Sequence, residues 1–254
     1  MNSDEKRELI RGAFRRAESF SGWGSFGITV QSLGPALPWD YETLAREAVA
    51  AANTVLDLET GGGERLLSIV EAFAPRRLTA TEAWYVNAPI AARRLKGVGA
   101  SVVRCRSGDG ATLPFQPASF DLVLNRHGAV VPPEIDRVLR PGGKFLTQQV
   151  DPGDWPELPR HFPRTTNWHA NDHKLRAAAF ERLGYEVQSR RHDYRVAYGS
   201  IADLAFNLAV TPWTIPGFGF DRDVDALLSL DAEQSQDEGL IMTRALYLIS
   251  AVKR

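Results

Sequence analysis

The chain has almost no cysteine: Cys105 is the only one in 254 residues. A single thiol excludes an internal disulfide and any multi-cysteine zinc or iron–sulfur site. Long apolar runs are missing too. No segment approaches the roughly 18 apolar residues of a membrane span, and Met1 to Phe20 alternates charges where a secretory leader would have its apolar centre. The expectation is a soluble, cytoplasmic protein with no membrane partner. Nor is there a surplus of either charge. Thirty Lys and Arg stand against 31 Asp and Glu, for a net charge of -1, which disfavours nucleic acid as the main partner. No repeat or low-complexity tract marks a linker. What is present is an ordinary globular composition, 44% hydrophobic and 24% charged, enough for one large core. A length of 254 residues suits a single domain spanning 1–254.

Hydrophobic spacing divides the chain into three regions. In the first, an N-terminal cap over about 1–45, Leu9, Ile10, Ala13, Phe14 and Ala17 recur at helical spacing until Ser21-Gly22-Trp23-Gly24-Ser25-Phe26-Gly27 breaks the pattern. A helix from about Tyr41 to Ala51 leads into the second region, 46–150. There, short apolar runs alternate with helical patterns: strand 54–58, helix 64–73, strand 78–81, helix 86–96, strands 101–104 and 120–124, helix 133–139 and strand 144–150. That alternation predicts an α/β fold, doubly wound, with a mostly parallel sheet covered by helices on both faces. Functional loops then fall at the carboxyl ends of the strands. The third region, 151–254, contains a helix near 174–183 and strands near 185–195 and 243–253. Two long irregular insertions, about 151–173 and 200–231, lie on the substrate side.

The most informative segment is Val55-Leu56-Asp57-Leu58-Glu59-Thr60-Gly61-Gly62-Gly63-Glu64, a strand feeding a glycine turn that opens a helix. Glycines there let the backbone approach a ligand closely. A dinucleotide fingerprint would need a small residue where Leu66 stands, so an adenosyl ligand without pyrophosphate fits better. Glu82, nineteen residues beyond Gly63, ends the next strand, where a carboxylate can accept hydrogen bonds from both ribose hydroxyls, or simply stay solvated. Asp109 follows the third strand in Ser107-Gly108-Asp109-Gly110, either as a further contact or as a turn former.

Together with Leu113-Pro114-Phe115, Ser119-Phe120-Asp121-Leu122-Val123 and Val138-Leu139-Arg140-Pro141-Gly142-Gly143-Lys144, these residues resemble the class I S-adenosylmethionine-dependent methyltransferases over about Asn53 to Val150. The resemblance implies a Rossmann-like, seven-stranded sheet with one antiparallel strand and S-adenosyl-L-methionine as cofactor. It assigns Asp57, Gly61 and Gly63 to the methionine end of the cofactor, Glu82 to the ribose and Asp109 to the adenine amino group. No metal is implied. One departure stands out: the family's loop is Asp-x-Gly-x-Gly-x-Gly, and its first glycine is here Glu59. That side chain either crowds the methionine portion or pairs with the ligand's ammonium, and the sequence leaves both open.

In such a fold the segment Leu124-Asn125-Arg126-His127-Gly128 faces the sulfonium, adding Asn125 to the cofactor contacts and Arg126 to the substrate pocket. Methyl transfer to an activated carbon asks mainly for alignment, and a base only where the acceptor must lose a proton. His127 is the candidate base or a pocket-shaping structural histidine. His169 and His173, four apart, suit a loop or helix start better than a metal site. Trp155, Trp168, Trp213, Phe218 and Phe220 concentrate in the two insertions. They suggest either an apolar acceptor pocket, with Trp168, Trp213 and Phe218 lining it, or a satellite core. The reading is methyl transfer to a small-molecule acceptor, by O- or N-methylation. Its alternatives are an RNA-base methyltransferase and a cofactor-binding protein without methyl transfer.

Overall fold

The computed structural model describes residues 2–23, 27–72, 75–108, 110–166 and 169–254. Asp109 and Trp168, both assigned roles above, lie outside them. Along the central region the strands are β2 (Thr54–Leu58), β3 (Arg77–Thr81), β4 (Ser101–Val103), β5 (Phe120–Arg126) and β6 (Leu139–Val150). All of these pair in parallel. β7 (Tyr185–Tyr198) and β9 (Gly239–Lys253) complete the main sheet, with β9 antiparallel to both β6 and β7. Two short strands were not anticipated. β1 (Val30–Leu33) pairs with the outer edge of β7, and β8 (Ser235–Gln236) folds onto the start of β9.

Among the described residues the sheet therefore has nine strands, in the order β1-β7-β9-β6-β5-β2-β3-β4 with β8 beside β9, and the expectation of seven is corrected. The seven-stranded arrangement survives inside it, and β9 is the one antiparallel member of that set. The reason for the extra edge strand is length. β7 continues to Tyr198 rather than ending near Arg195, and its unpaired backbone groups take up Val30–Leu33. β5 also runs two residues further than its apolar run suggested, carrying Asn125 and Arg126 as its last members.

A second correction concerns 200–231, expected to be irregular. It forms helices α8 (Ile201–Val210) and α9 (Phe220–Gln234). Ser200 caps α8 by accepting from Asp203 N, and Val224, Leu227 and Leu230 form the buried stripe of α9. Both helices pack with α1 (Ser3–Glu18), whose start is fixed by a capping box between Asn2 and Glu5. Ion pairs Lys6–Asp231 and Arg7–Asp225 hold α1 to α9. The cluster between these helices contains Trp155, with Phe218 packed against it.

The remaining helices cover the two faces of the sheet. α2 (Tyr41–Ala50), α3 (Glu64–Val70) and α4 (Asn87–Leu95) contribute Ala45, Leu66 and Leu95 to one core. α5 (Pro132–Val138) and α7 (His173–Arg182) contribute Ile135 and Phe180 to the other. The short α6 (Leu158–His161) adds Leu158 to the cluster beneath α1. The order in which successive strands are added reverses between the parallel neighbours β2 and β5, the switch point at which open α/β sheets bind ligands. No helix among the described residues is long and apolar enough to cross a membrane.

Candidate active site

β2 delivers Asp57 to this switch point and then turns through the glycines. Gly61 and Gly63 have φ of 63° and 80°, values that favour glycine. A β-carbon on Gly61 would also collide with the ring of Trp23, and one on Gly63 would press on Leu95 at 3.0 Å. The loop is thus shaped for contact on both sides. Trp23 lies over Gly61, and its ring centroid is 6.0 Å from that of Trp213. Gly22 N donates to Asn87 Oδ1 at 2.7 Å. The N-terminal segment therefore covers the glycine loop itself.

Glu82 closes the loop from β3. Its carboxylate accepts from Gly61 N and from Trp84 N, each at 2.7 Å. Burial pushes its pKa up, and these backbone donors hold it back. Asp57 has no such support. Burial, reinforced by the charge of Glu82, raises its pKa from 3.8 to about 7. Thr60 lies close enough to ease that charge, yet its buried Oγ1 has no partner in hydrogen-bond geometry. Asn87 Nδ2 is likewise buried and unpartnered. An under-compensated carboxylate beside unpaired polar atoms is what an ammonium- and hydroxyl-bearing ligand would satisfy.

Glu59 takes a different course from either reading of the sequence. Its φ of 56° keeps the glycine-type backbone, while its carboxylate reaches across the end of the sheet. It accepts from Ser107 Oγ and from Ala129 N, the latter at 3.1 Å. Gly128 leaves room for this, since a β-carbon there would lie 2.8 Å from Glu59 Oε2. Glu59 thus binds together the loops after β2, β4 and β5. Glu59→Gly relieves backbone strain of about 1–2 kcal/mol but removes a charged acceptor whose bonds are worth about 1.5–3 kcal/mol each. The expected outcome is a variant destabilised by about 1–5 kcal/mol in denaturant unfolding, with cofactor affinity within about tenfold of wild type by calorimetry.

Asn125, fully buried, is engaged within the protein. Its Nδ2 donates to Leu58 O at 3.4 Å and Ala129 O at 3.3 Å, and its Oδ1 accepts from Gln149 Nε2 at 2.5 Å. Arg126 and His127 follow. His127 has φ 60° and is solvent-exposed. Local desolvation, reinforced by the charges of Arg126, Arg244 and Arg65, holds its pKa well below 6.5. Gln148 backs this corner: its backbone oxygen accepts from His127 N at 3.0 Å, and its side-chain oxygen accepts from Trp39 Nε1 at 2.9 Å.

The insertion aromatics divide. Phe218 packs at a tilt against Phe14 and edge-to-face against Phe162, with centroids 5.1 and 5.9 Å away, as part of the satellite core. Trp213 is half-exposed and meets Trp23. His169 sits in a short 3-10 turn and His173 begins α7, so the two share no helix. Sequence reasoning missed Trp39, Tyr41 and Tyr194 near the β5 end. Tyr41 donates to Asn125 O at 3.4 Å, and only the aromatic pair flanking the helix cap Asp40 hinted at a site.

Carboxylates thus gather around the glycine loop and arginines around the end of β5, on a sheet with the strand order of a class I methyltransferase. Residues 56–147 match the methyltransferase domain family. The chain is 31% identical over 128 residues to a fatty-acid O-methyltransferase of Mycolicibacterium smegmatis, covering 47% of this chain and 46% of that protein. It is 35% identical over 125 residues to a demethylmenaquinone methyltransferase of Mycobacterium sp. (strain KMS), covering 46% of this chain and 50% of that one. It therefore spans about half the length of the curated relatives it matches. In fold it is similar to a functionally unknown protein of Deinococcus radiodurans (TM-score 0.61, 13% identity, covering 99% of this chain and 98% of the other). The YcgJ protein of Bacillus subtilis is similar too (TM-score 0.58, 20% identity, covering 84% and 98%).

Proposed function

We propose that this chain transfers a methyl group from S-adenosylmethionine to a small-molecule acceptor, at oxygen or nitrogen. The observation that carries this is the buried, under-compensated Asp57 beside the Glu82-braced glycine loop. It is an arrangement suited to a cationic adenosyl ligand and one that an apolar packing role does not explain. Bound there, the cofactor would supply an activated methyl carbon. Asp57 and Glu82 would meet its ammonium and its ribose, and Asp109 its adenine. The names of the two curated relatives, both methyltransferases of small molecules, support an acceptor of that class. The balanced net charge of -1 supports it over RNA. Conversion of S-adenosylmethionine to S-adenosylhomocysteine, assayed with small-molecule extract and separately with RNA, tests the reading. Turnover with RNA alone would reject the acceptor class, and no cofactor binding at all would reject the function.

His127 takes the acceptor side. A histidine whose pKa is held down is neutral at physiological pH, so a ring nitrogen can receive the acceptor's proton once Nε2 gives up its long 3.5 Å contact with Gln148 Nε2. Asparagine tolerates the left-handed backbone this position needs, which makes His127→Asn an informative variant. It is expected to bind S-adenosylmethionine as wild type does and to lose about a hundredfold in turnover. Undiminished turnover with weakened cofactor binding would move His127 to the cofactor side.

A further inference from the structure

Most arginines near the active-site crevice are neutralised. Arg65 pairs with Glu42, and Arg244 pairs with Asp154 at 2.8 Å. The side chain of Arg126, the last residue of β5, has neither hydrogen bond nor ion pair among the described residues. Its position makes this unusual. The side chain is largely enclosed, and the charges of Arg65 and Arg244 add to that enclosure in lowering its pKa to about 10. Yet Arg126 is not sealed off, because part of it remains open to solvent. A guanidinium that is half desolvated, repelled by two neighbours and still reachable is a standing demand for an anion.

The surroundings indicate what kind of anion. Tyr41 and Tyr194 are the oxygen-bearing groups whose electrostatics reach Arg126. Tyr194 also lines an open hollow of about 670 Å³ together with Leu37, Pro38 and Trp39, and with Ser32 and Asp40 as its polar members. Trp39 is joined through its hydrogen bond to Gln148, which lies opposite Arg126 across the β5–β6 ladder. A hollow with mainly apolar walls is thus linked, through Trp39 and Gln148, to the strand end that carries the unpaired cation. Ligand sites combine apolar walls with a few placed polar groups in this way, and the planar guanidinium fork matches a carboxylate.

Resting on the methyltransferase reading above, we infer that the acceptor carries a carboxylate on an apolar body, and that Arg126 is the specificity-determining residue that anchors this carboxylate at the end of β5. The anchored charge also offsets the arginine field around His127, so that acceptor binding makes His127 a stronger base at the step that needs one.

Decanoate and its neutral counterpart decanamide, titrated calorimetrically into protein preloaded with S-adenosylhomocysteine, test this. Wild type is expected to bind decanoate at least tenfold more tightly than decanamide. Arg126→Gln is expected to erase that preference, and Arg126→Lys, which keeps the charge but loses the fork, to retain part of it. Both variants are expected to keep the S-adenosylhomocysteine affinity of wild type, and neither is expected to melt below wild type, since the charge at this position is disfavoured in the unliganded fold. A wild type that does not distinguish the two probes overturns the inference. So does a folded Arg126→Gln that still prefers decanoate, or one whose loss falls on S-adenosylhomocysteine instead, which would make Arg126 a holder of the cofactor's own carboxylate. Failure of wild type to bind S-adenosylhomocysteine strikes the underlying methyltransferase reading and, with it, the acceptor role. Arg126-dependent binding of decanoate without cofactor would then report only an anion site.

Discussion

Asp57→Asn is expected to make the cofactor-free protein more stable while weakening its hold on S-adenosylmethionine. The folded protein raises the Asp57 pKa from 3.8 to about 7, so between those values it keeps a proton that the unfolded chain gives up. Its stabilising contribution is whole below about pH 4 and is lost as pH rises through about 7. A shift of about three units corresponds to about 4 kcal/mol as an upper bound. Asparagine does not titrate, so the stability gap between variant and wild type should open between pH 4 and 7 and stay constant above. Denaturant unfolding at pH 4.5, 6 and 8 reads this directly, and a gap independent of pH would show that Asp57 is not the desolvated group described. Cofactor binding has the opposite sense. Between about pH 5.5 and 7, below the range in which an α-amino group titrates, wild-type affinity should rise with pH as Asp57 ionises, while the affinity of Asp57→Asn stays low and flat.

Glu82→Ala carries the second large effect. The carboxylate that would receive the ribose also accepts Gly61 N and Trp84 N. Its removal deletes ligand contacts and releases the loop that shapes the pocket. Hydrogen bonds to a charged group are worth about 1.5–3 kcal/mol each, so S-adenosylmethionine should bind between about tenfold and a hundredfold more weakly. Calorimetry on a variant with wild-type circular dichroism makes the comparison. Unchanged affinity would leave Glu82 as a brace for the loop alone.

Legibility in the sequence followed the strength of local signals. β2 and its glycine turn were readable because an apolar run bounded by glycines permits few alternatives, and Asp57 and Glu82 stand at the strand ends where the pattern put them. α9 was hidden because Asp221, Asp223, Asp225 and Asp231 dilute its apolar stripe. Asp223 is buried only because Arg164 grips it with bonds of 2.8 and 3.1 Å from a distant segment. β1 was hidden for a related reason. Val30–Leu33 is exposed and has no buried face to give it a period, so its strand character comes entirely from β7. The direction of Glu59 and the isolation of Arg126 are relations between loops far apart in sequence. No spacing rule reports them.

The seating of α1 bears on the order in which the molecule assembles. Its partners α8 and α9 belong to the far end of the chain, and contacts of such sequence separation are the last that a growing or collapsing polypeptide can make. During synthesis α1 must therefore wait until α9 has emerged before it can dock fully. Trp23 follows α1 directly, so the glycine loop stays uncovered throughout that interval. The nascent central sheet would present its cofactor crevice to solvent, accessible to ligand, before the chain is complete.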